Sequence, residues 1–211
     1  MFRLIKIIFN AFLLVLAIIG FNAIGGQKYV EAFKVNVGNF IQNHAMESAK
    51  KIGDFSNLHE EFQIDNSVNL IGYKAVIAEH KASGQKMVIV DSGKKPLLTQ
   101  SDIKSDKVDK KIADLAEKFK YQAITVQDVK ITGRGSMKAF GKNVPYAKFE
   151  AKVTKLPFSD VAGIVASVTT SDGSEKLAIS LSEKKKYSQL ITDEFYKGVN
   201  EGVNARINEG K

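Results

Sequence analysis

Val161 to Leu181 reads VAGIVASVTTSDGSEKLAISL, two strand-like runs (Val161–Thr170 and Lys176–Leu181) joined by Ser171-Asp172-Gly173-Ser174. An Asp-Gly pair between two such runs is a strong short-range hairpin signal, because glycine supplies the positive φ that a tight turn requires. Leu177, Ile179 and Leu181 recur at every second position. That period places them on one face of a strand.

Upstream, Val144–Thr154 repeats the pattern. Ala147, Phe149, Ala151 and Val153 fall on one side, and Lys148, Glu150 and Lys152 on the other. One side is therefore solvated, which argues for antiparallel pairing. Its partner is Ile124–Thr132 or Ser136–Phe140, across a turn at Gly141-Lys142-Asn143. The apolar phase slips between Val126 and Val129, as it does at a β-bulge. A further hairpin pairs Ile71–His80 with Lys86–Asp91 around Ala82-Ser83-Gly84-Gln85.

Helices frame these hairpins. Asp106–Lys120 carries Val108, Ile112, Leu115, Ala116 and Phe119 on one stripe, with Ser105 as N-cap. Ser188–Ile207 carries Ile191, Phe195, Val199, Val203 and Ile207 at every fourth position. Residues 27–62 read as a helical neck, with Phe40, Ile41, Ala45, Ala49 and Ile52 on one face. Gly53-Asp54 breaks the run, and Ser56 caps a second short helix.

At the N-terminus, Ile7–Ile24 reads IIFNAFLLVLAIIGFNAI, without a charge and preceded by Arg3 and Lys6. As a helix it spans roughly 27 Å, close to the hydrocarbon thickness of a bilayer. The flanking charges keep the N-terminus cytoplasmic and send the rest across. Two fates fit this segment: retention as a signal anchor, or cleavage after the small-x-small triplet Ala23-Ile24-Gly25. The expected organisation is a signal anchor or signal peptide over 1–26, a neck over 27–62, and an exported α+β domain over 63–211. In that domain an antiparallel sheet of three hairpins is covered by helices. This element order over residues 65–207 resembles the α/β/α sandwich of the PsbP superfamily of exported accessory proteins. The resemblance implies a fold only; no motif carries it, and no functional residue is transferred.

The chain has no cysteine, which excludes disulfides, thiolate catalysis, zinc ribbons and iron–sulfur clusters. Of its formal charge of +8 almost all the positive side chains are lysine, the only arginines being Arg3, Arg134 and Arg206. Bidentate recognition of bases and phosphates favours arginine, so no nucleic-acid partner is expected. Lysine gives diffuse attraction to anionic lipid or polymer. The candidate anion contacts are Arg134, in the glycine-dense stretch Gly133-Arg134-Gly135-Ser136, and the run Lys184-Lys185-Lys186. Lys94-Lys95 forms a smaller cluster of the same kind.

The three histidines, His44, His59 and His80, have no second histidine at helical spacing. No metal site or cofactor is called for on that pattern. Ser-x-x-Lys occurs at Ser48/Lys51, Ser101/Lys104 and Ser182/Lys185, without companion motifs of a serine–lysine enzyme. Gly198 and Gly202 are spaced for close packing of the last helix against a neighbour.

The reading that follows is a membrane-tethered, extracytoplasmic, non-catalytic binding or accessory protein. Residues 7–24 hold it to the membrane, and an envelope protein or an anionic lipid or polymer is its partner. After cleavage near Gly25 the same domain is periplasmic or secreted. Two alternatives stand beside it: an exported enzyme whose site is assembled from distant carboxylates and a histidine, and a lipid or membrane-surface binder.

Overall fold

Period-two alternation becomes strand in the computed structural model, which describes residues 46–70, 73–93, 96–117, 126–154 and 159–202. The strands are β1 (Phe62–Leu70), β2 (Tyr73–His80), β3 (Lys86–Asp91), β4 (Val126–Ala139), β5 (Lys142–Val153), β6 (Asp160–Thr169) and β7 (Glu175–Glu183). The helices are α1 (Gln100–Lys104), α2 (Val108–Glu117) and α3 (Gln189–Gly198), the last preceded by a 3-10 turn at Lys184–Lys186. Among the described residues these seven strands form one sheet in the order β1-β2-β3-β7-β6-β5-β4. Every neighbouring pair is antiparallel. Two meanders therefore meet at the β3–β7 seam, and the protein is of mixed α+β class.

The sheet buries apolar side chains on both faces. On one, Val76, Ala78, Met87, Ile89, Ile164, Ala166 and Ala178 pack with Phe195, Tyr196 and Val199 and with Ala49, Ile52 and Phe55. On the other, Ala75, Ile77, Val88, Val90, Val165, Leu177 and Ile179 pack with Leu98, Ile103 and Val108. Each fully buried large aliphatic or aromatic side chain contributes about 1.5–3 kcal/mol. Helical cover on both faces explains why β6 is buried almost end to end although its own sequence alternates little.

The hairpins expected around 82–85 and 171–174 form, with Gly84 and Gly173 at φ 70° and 77°. The two runs proposed as alternative partners of β5 are one continuous strand, β4. Register shifts occur at Gln127/Lys130 and at Ile131/Gly133. Asp128 takes φ 52° inside the first of these, so the phase slip is a bulge. The β4–β5 turn is tighter than expected. It is made by Phe140 and Gly141, at φ 53° and 74°, and Lys142 and Asn143 already belong to β5.

Three expectations are corrected and one strand is added. β1 lies between the neck and Ile71, where the sequence predicts no element. Its register shifts at Asp65, between Ile64 and Asn66, which breaks the alternation that would have announced a strand. Ser105 ends α1 rather than capping a helix from Asp106. α1 itself opens with a capping box between Thr99 and Asp102, and α2 begins at Val108. α3 stops at Gly198 instead of running on toward Ile207. Val199 is extended, and Asn200 forms a β-bridge with Asp54. Residues 50–61 follow the helical turn at 46–49 as turns rather than a second helix. There the Ser56 N–H is held by the Asp54 carboxylate at 3.0 Å.

The apolar stretch 7–24, His44 and residues 27–45 of the neck lie outside the described residues, as do Lys94-Lys95, 118–120 and 203–207. Among the described residues no helix is long and apolar enough to cross a membrane.

Candidate functional site

The polar side of β5 meets β4 and the 3-10 turn at one end of the sheet. Lys130 of β4 stands directly opposite Glu150. Glu150 in turn accepts a hydrogen bond from the Lys184 ammonium at 2.7 Å. That bond, with the Coulombic pull of Glu150, raises the Lys184 pKa. Lys186 pairs with Glu183 at 2.9 Å, and Lys152 with Asp128 at 3.4 Å. Among the described residues Lys130, Lys148 and Lys185 have no carboxylate partner. Lys130 and Lys185 are exposed, and the Lys148 ammonium lies 5.4 Å from the centre of the Tyr187 ring.

Tyr187 closes this corner. Burial pushes its phenol up to about 12, with Asp193 and Tyr146 adding to the rise and a hydrogen bond from Thr192 opposing it. Tyr146 lies over Gly135, its cross-strand partner, where an added Cβ would come within 2.6 Å of the phenol oxygen. The glycines of Gly133-Arg134-Gly135 thus belong to a strand, not to a phosphate loop.

Arg134 is separate from the lysines. It stands opposite Ala147, which packs on the other face of the sheet. Its guanidinium donates to the Ser105 carbonyl at 3.1 Å and pairs with Asp106 at 3.4 Å. Its visible work is to fasten the α1–α2 junction to β4. The sequence singled out Lys184–Lys186 but missed Lys130, Lys148 and Tyr187. The alternation in β5 marks Lys148 as solvent-side, yet nothing local announces the Lys184–Glu150 pair.

A second constellation lies at the β2–β3 turn. His80 is nearly buried, at 7% exposure. Its Nδ1 faces the Ser83 hydroxyl at 2.9 Å and accepts the Ser83 N–H at 3.3 Å. Nδ1 is thereby an acceptor, which puts the proton of the neutral ring on Nε2. Nε2 faces Glu61 at 3.6 Å, and His59 Nδ1 lies at the same distance from that carboxylate. Hydroxyl, imidazole and carboxylate in a chain are the connectivity of a nucleophile–base–orienter relay. Here the hydroxyl also accepts the Gln85 N–H at 3.2 Å, which ties it into the turn. Among the described residues no group of three or more His, Asp or Glu is placed to hold a metal ion.

No protein-family model matches the sequence, and comparison with curated proteins gives no significant match.

Proposed function

We propose that this is a membrane-tethered, extracytoplasmic binding or accessory protein. Residues 7–24 hold it at the bilayer, and its sheet domain presents a lysine-bearing corner to an anionic partner, an envelope protein or an anionic lipid or polymer. The observation that carries this reading is that Lys130, opposite Glu150, and Lys148, over Tyr187, adjoin the Lys184–Lys186 turn through Glu150 and Tyr187, and that Lys130, Lys148 and Lys185 lack a carboxylate partner among the described residues. The antiparallel sheet covered on both faces supports the resemblance in fold to the PsbP superfamily, and that resemblance carries no role. The uninterrupted apolar run behind Arg3 and Lys6 supports the tether.

The test is site-specific photocrosslinking from position 130 in envelope membranes. A discrete adduct that disappears when Lys148 and Lys185 are reversed to glutamate is expected. Adducts of the same pattern from a position on α2 would remove the lysine corner from the account.

A second reading, an exported enzyme, is favoured by the Ser83–His80–Glu61 chain alone. It predicts hydrolysis of activated esters that Ser83→Ala and His80→Ala abolish and that Lys185→Glu leaves intact.

A further inference from the structure

We propose that residues 198–202 form a latch that fastens segment 46–58 to the sheet and decides whether that segment covers the sheet or is released from it. After α3 the chain turns extended. Asp54 and Asn200 then exchange both backbone hydrogen bonds, each at 2.9 Å. The Val199 carbonyl accepts the Phe140 N–H at 3.1 Å. Both Glu201 carboxylate oxygens accept the Ser171 N–H at 3.1 Å, and one also accepts the Ser171 hydroxyl. Lys142 completes the group, 3.0 Å from Glu201 and donating to the Thr169 carbonyl at 2.8 Å. One short segment thus grips the N-terminal cover and two hairpin turns.

The grip is backbone against backbone. A Cβ at Gly202 would stand 3.1 Å from the Lys50 carbonyl oxygen, one at Gly198 would stand 3.1 Å from that of Asn57, and one at Gly53 would stand 3.2 Å from that of Asn200. Any side chain at these positions pushes the two segments apart. The Gly198 and Gly202 spacing therefore serves this seam, with only Gly198 on helix.

The latch holds a cover with little regular structure of its own. Among the described residues, segment 46–58 contains one helical turn and one β-bridge to another segment, the one to Asn200. Ala49, Ile52 and Phe55 add burial in the core on the same face of the sheet. Phe140, whose N–H the latch secures, sits at φ 53° with its ring buried, a strained conformation for an aromatic residue. Elements held by few ladder bonds are where sub-global opening begins. In the tethered reading this segment is also the covalent lead from the bilayer to the sheet. Each released residue then adds up to roughly 3.3–3.6 Å of reach. That consequence rests on the tethered reading; the latch itself does not.

Hydrogen exchange on the full chain in detergent micelles tests the latch, with Gly202→Val and Glu201→Gln compared to the parent. The expected result is exchange about tenfold faster at Ile52, Asp54 and Asn200, with Val165 and Ile179 in the central strands unchanged. Glu201→Gln adds no bulk and gives the same pattern at smaller amplitude, so it decides the matter if Gly202→Val fails to fold. Unchanged exchange at Asp54, or equal acceleration in the central strands, overturns the proposal.

Discussion

The Gln85 carboxamide oxygen accepts the Ser188 N–H at 2.8 Å and so joins the β2–β3 turn to the first turn of α3. The two N–H groups of the same carboxamide are shared among three acceptors, the Ser180 hydroxyl at 2.9 Å, the Thr192 hydroxyl at 2.9 Å and the Ser188 carbonyl at 3.0 Å. Gln85, Ser180 and Thr192 are fully buried. Ser188, the N-cap of α3, makes no side-chain cap bond, and Gln85 supplies an acceptor to that residue from across the core.

Replacing Gln85 by alanine strands buried partners on three residues. The expected loss is about 2–4 kcal/mol, more than a lone hydrogen bond is worth, because the groups left behind have no water to turn to. Urea unfolding checks it: the midpoint falls with an unchanged slope. A loss within about 0.5 kcal/mol, the range of an ordinary surface substitution, would contradict the network's role.

Gly163→Ala is a sharper perturbation. Phe149 lies opposite Gly163 on β5, and an added Cβ would meet the Phe149 ring at 2.9 Å and the Ser180 carbonyl oxygen at 2.2 Å. The backbone oxygen cannot swing aside as a flexible side chain can. We expect a cost of about 3 kcal/mol or more, at the upper end for overpacking, read as a fall in thermal midpoint. Pairing it with Phe149→Leu is expected to recover only a small part, since the oxygen clash remains.

Acid stability reports on the β6–β7 turn. Burial pushes the Asp172 carboxyl up. This is outweighed by hydrogen bonds from Ser174 and Thr170 and by the charge of Lys176, which hold it at about 2 against an ordinary 3.8. Burial also raises Glu201, and the bonds from Ser171 and Lys142 overcome it, leaving its pKa lowered. A lowered folded pKa means stability that is complete above the unfolded value and lost as pH falls through the folded one. Asp172 therefore contributes above pH 3.8 and loses its contribution between there and about pH 2. Unfolding midpoints across that window are expected to fall less steeply in Asp172→Asn than in the parent.

The alkaline limb has the opposite sign. Burial raises Tyr187 to about 12 from 10.0, and burial raises the fully enclosed Tyr196 as well. Their contributions are whole below pH 10 and are lost as pH rises through the folded values. Tyr187→Phe is expected to flatten the fall in stability above pH 10; an unaltered slope would show that Tyr187 titrates as a solvated phenol.

What the sequence disclosed followed from locality. The β6–β7 hairpin was legible because its turn residues and alternation lie within one short window. β1 was hidden because the bulge at Asp65 shifts Ile64 and Asn66 out of phase, and its pairing becomes clear only beside β2. The sequence pattern runs past the end of α3 because Val199 keeps the helical apolar spacing while bonding as an extended residue. The lysine run at 184–186 was visible. Its coupling to Glu150 on β5 spans 34 residues of chain, and no local pattern encodes it. His80 was visible as a histidine near a turn, but Glu61 reaches it only through β1–β2 pairing.

Intact-mass measurement of the protein in separated membrane and soluble envelope fractions tests the tethered reading most directly. The account predicts the full-length mass, including residues 1–26, in the membrane fraction. A mass beginning near Gly26 in the soluble fraction would contradict it and leave a diffusible domain.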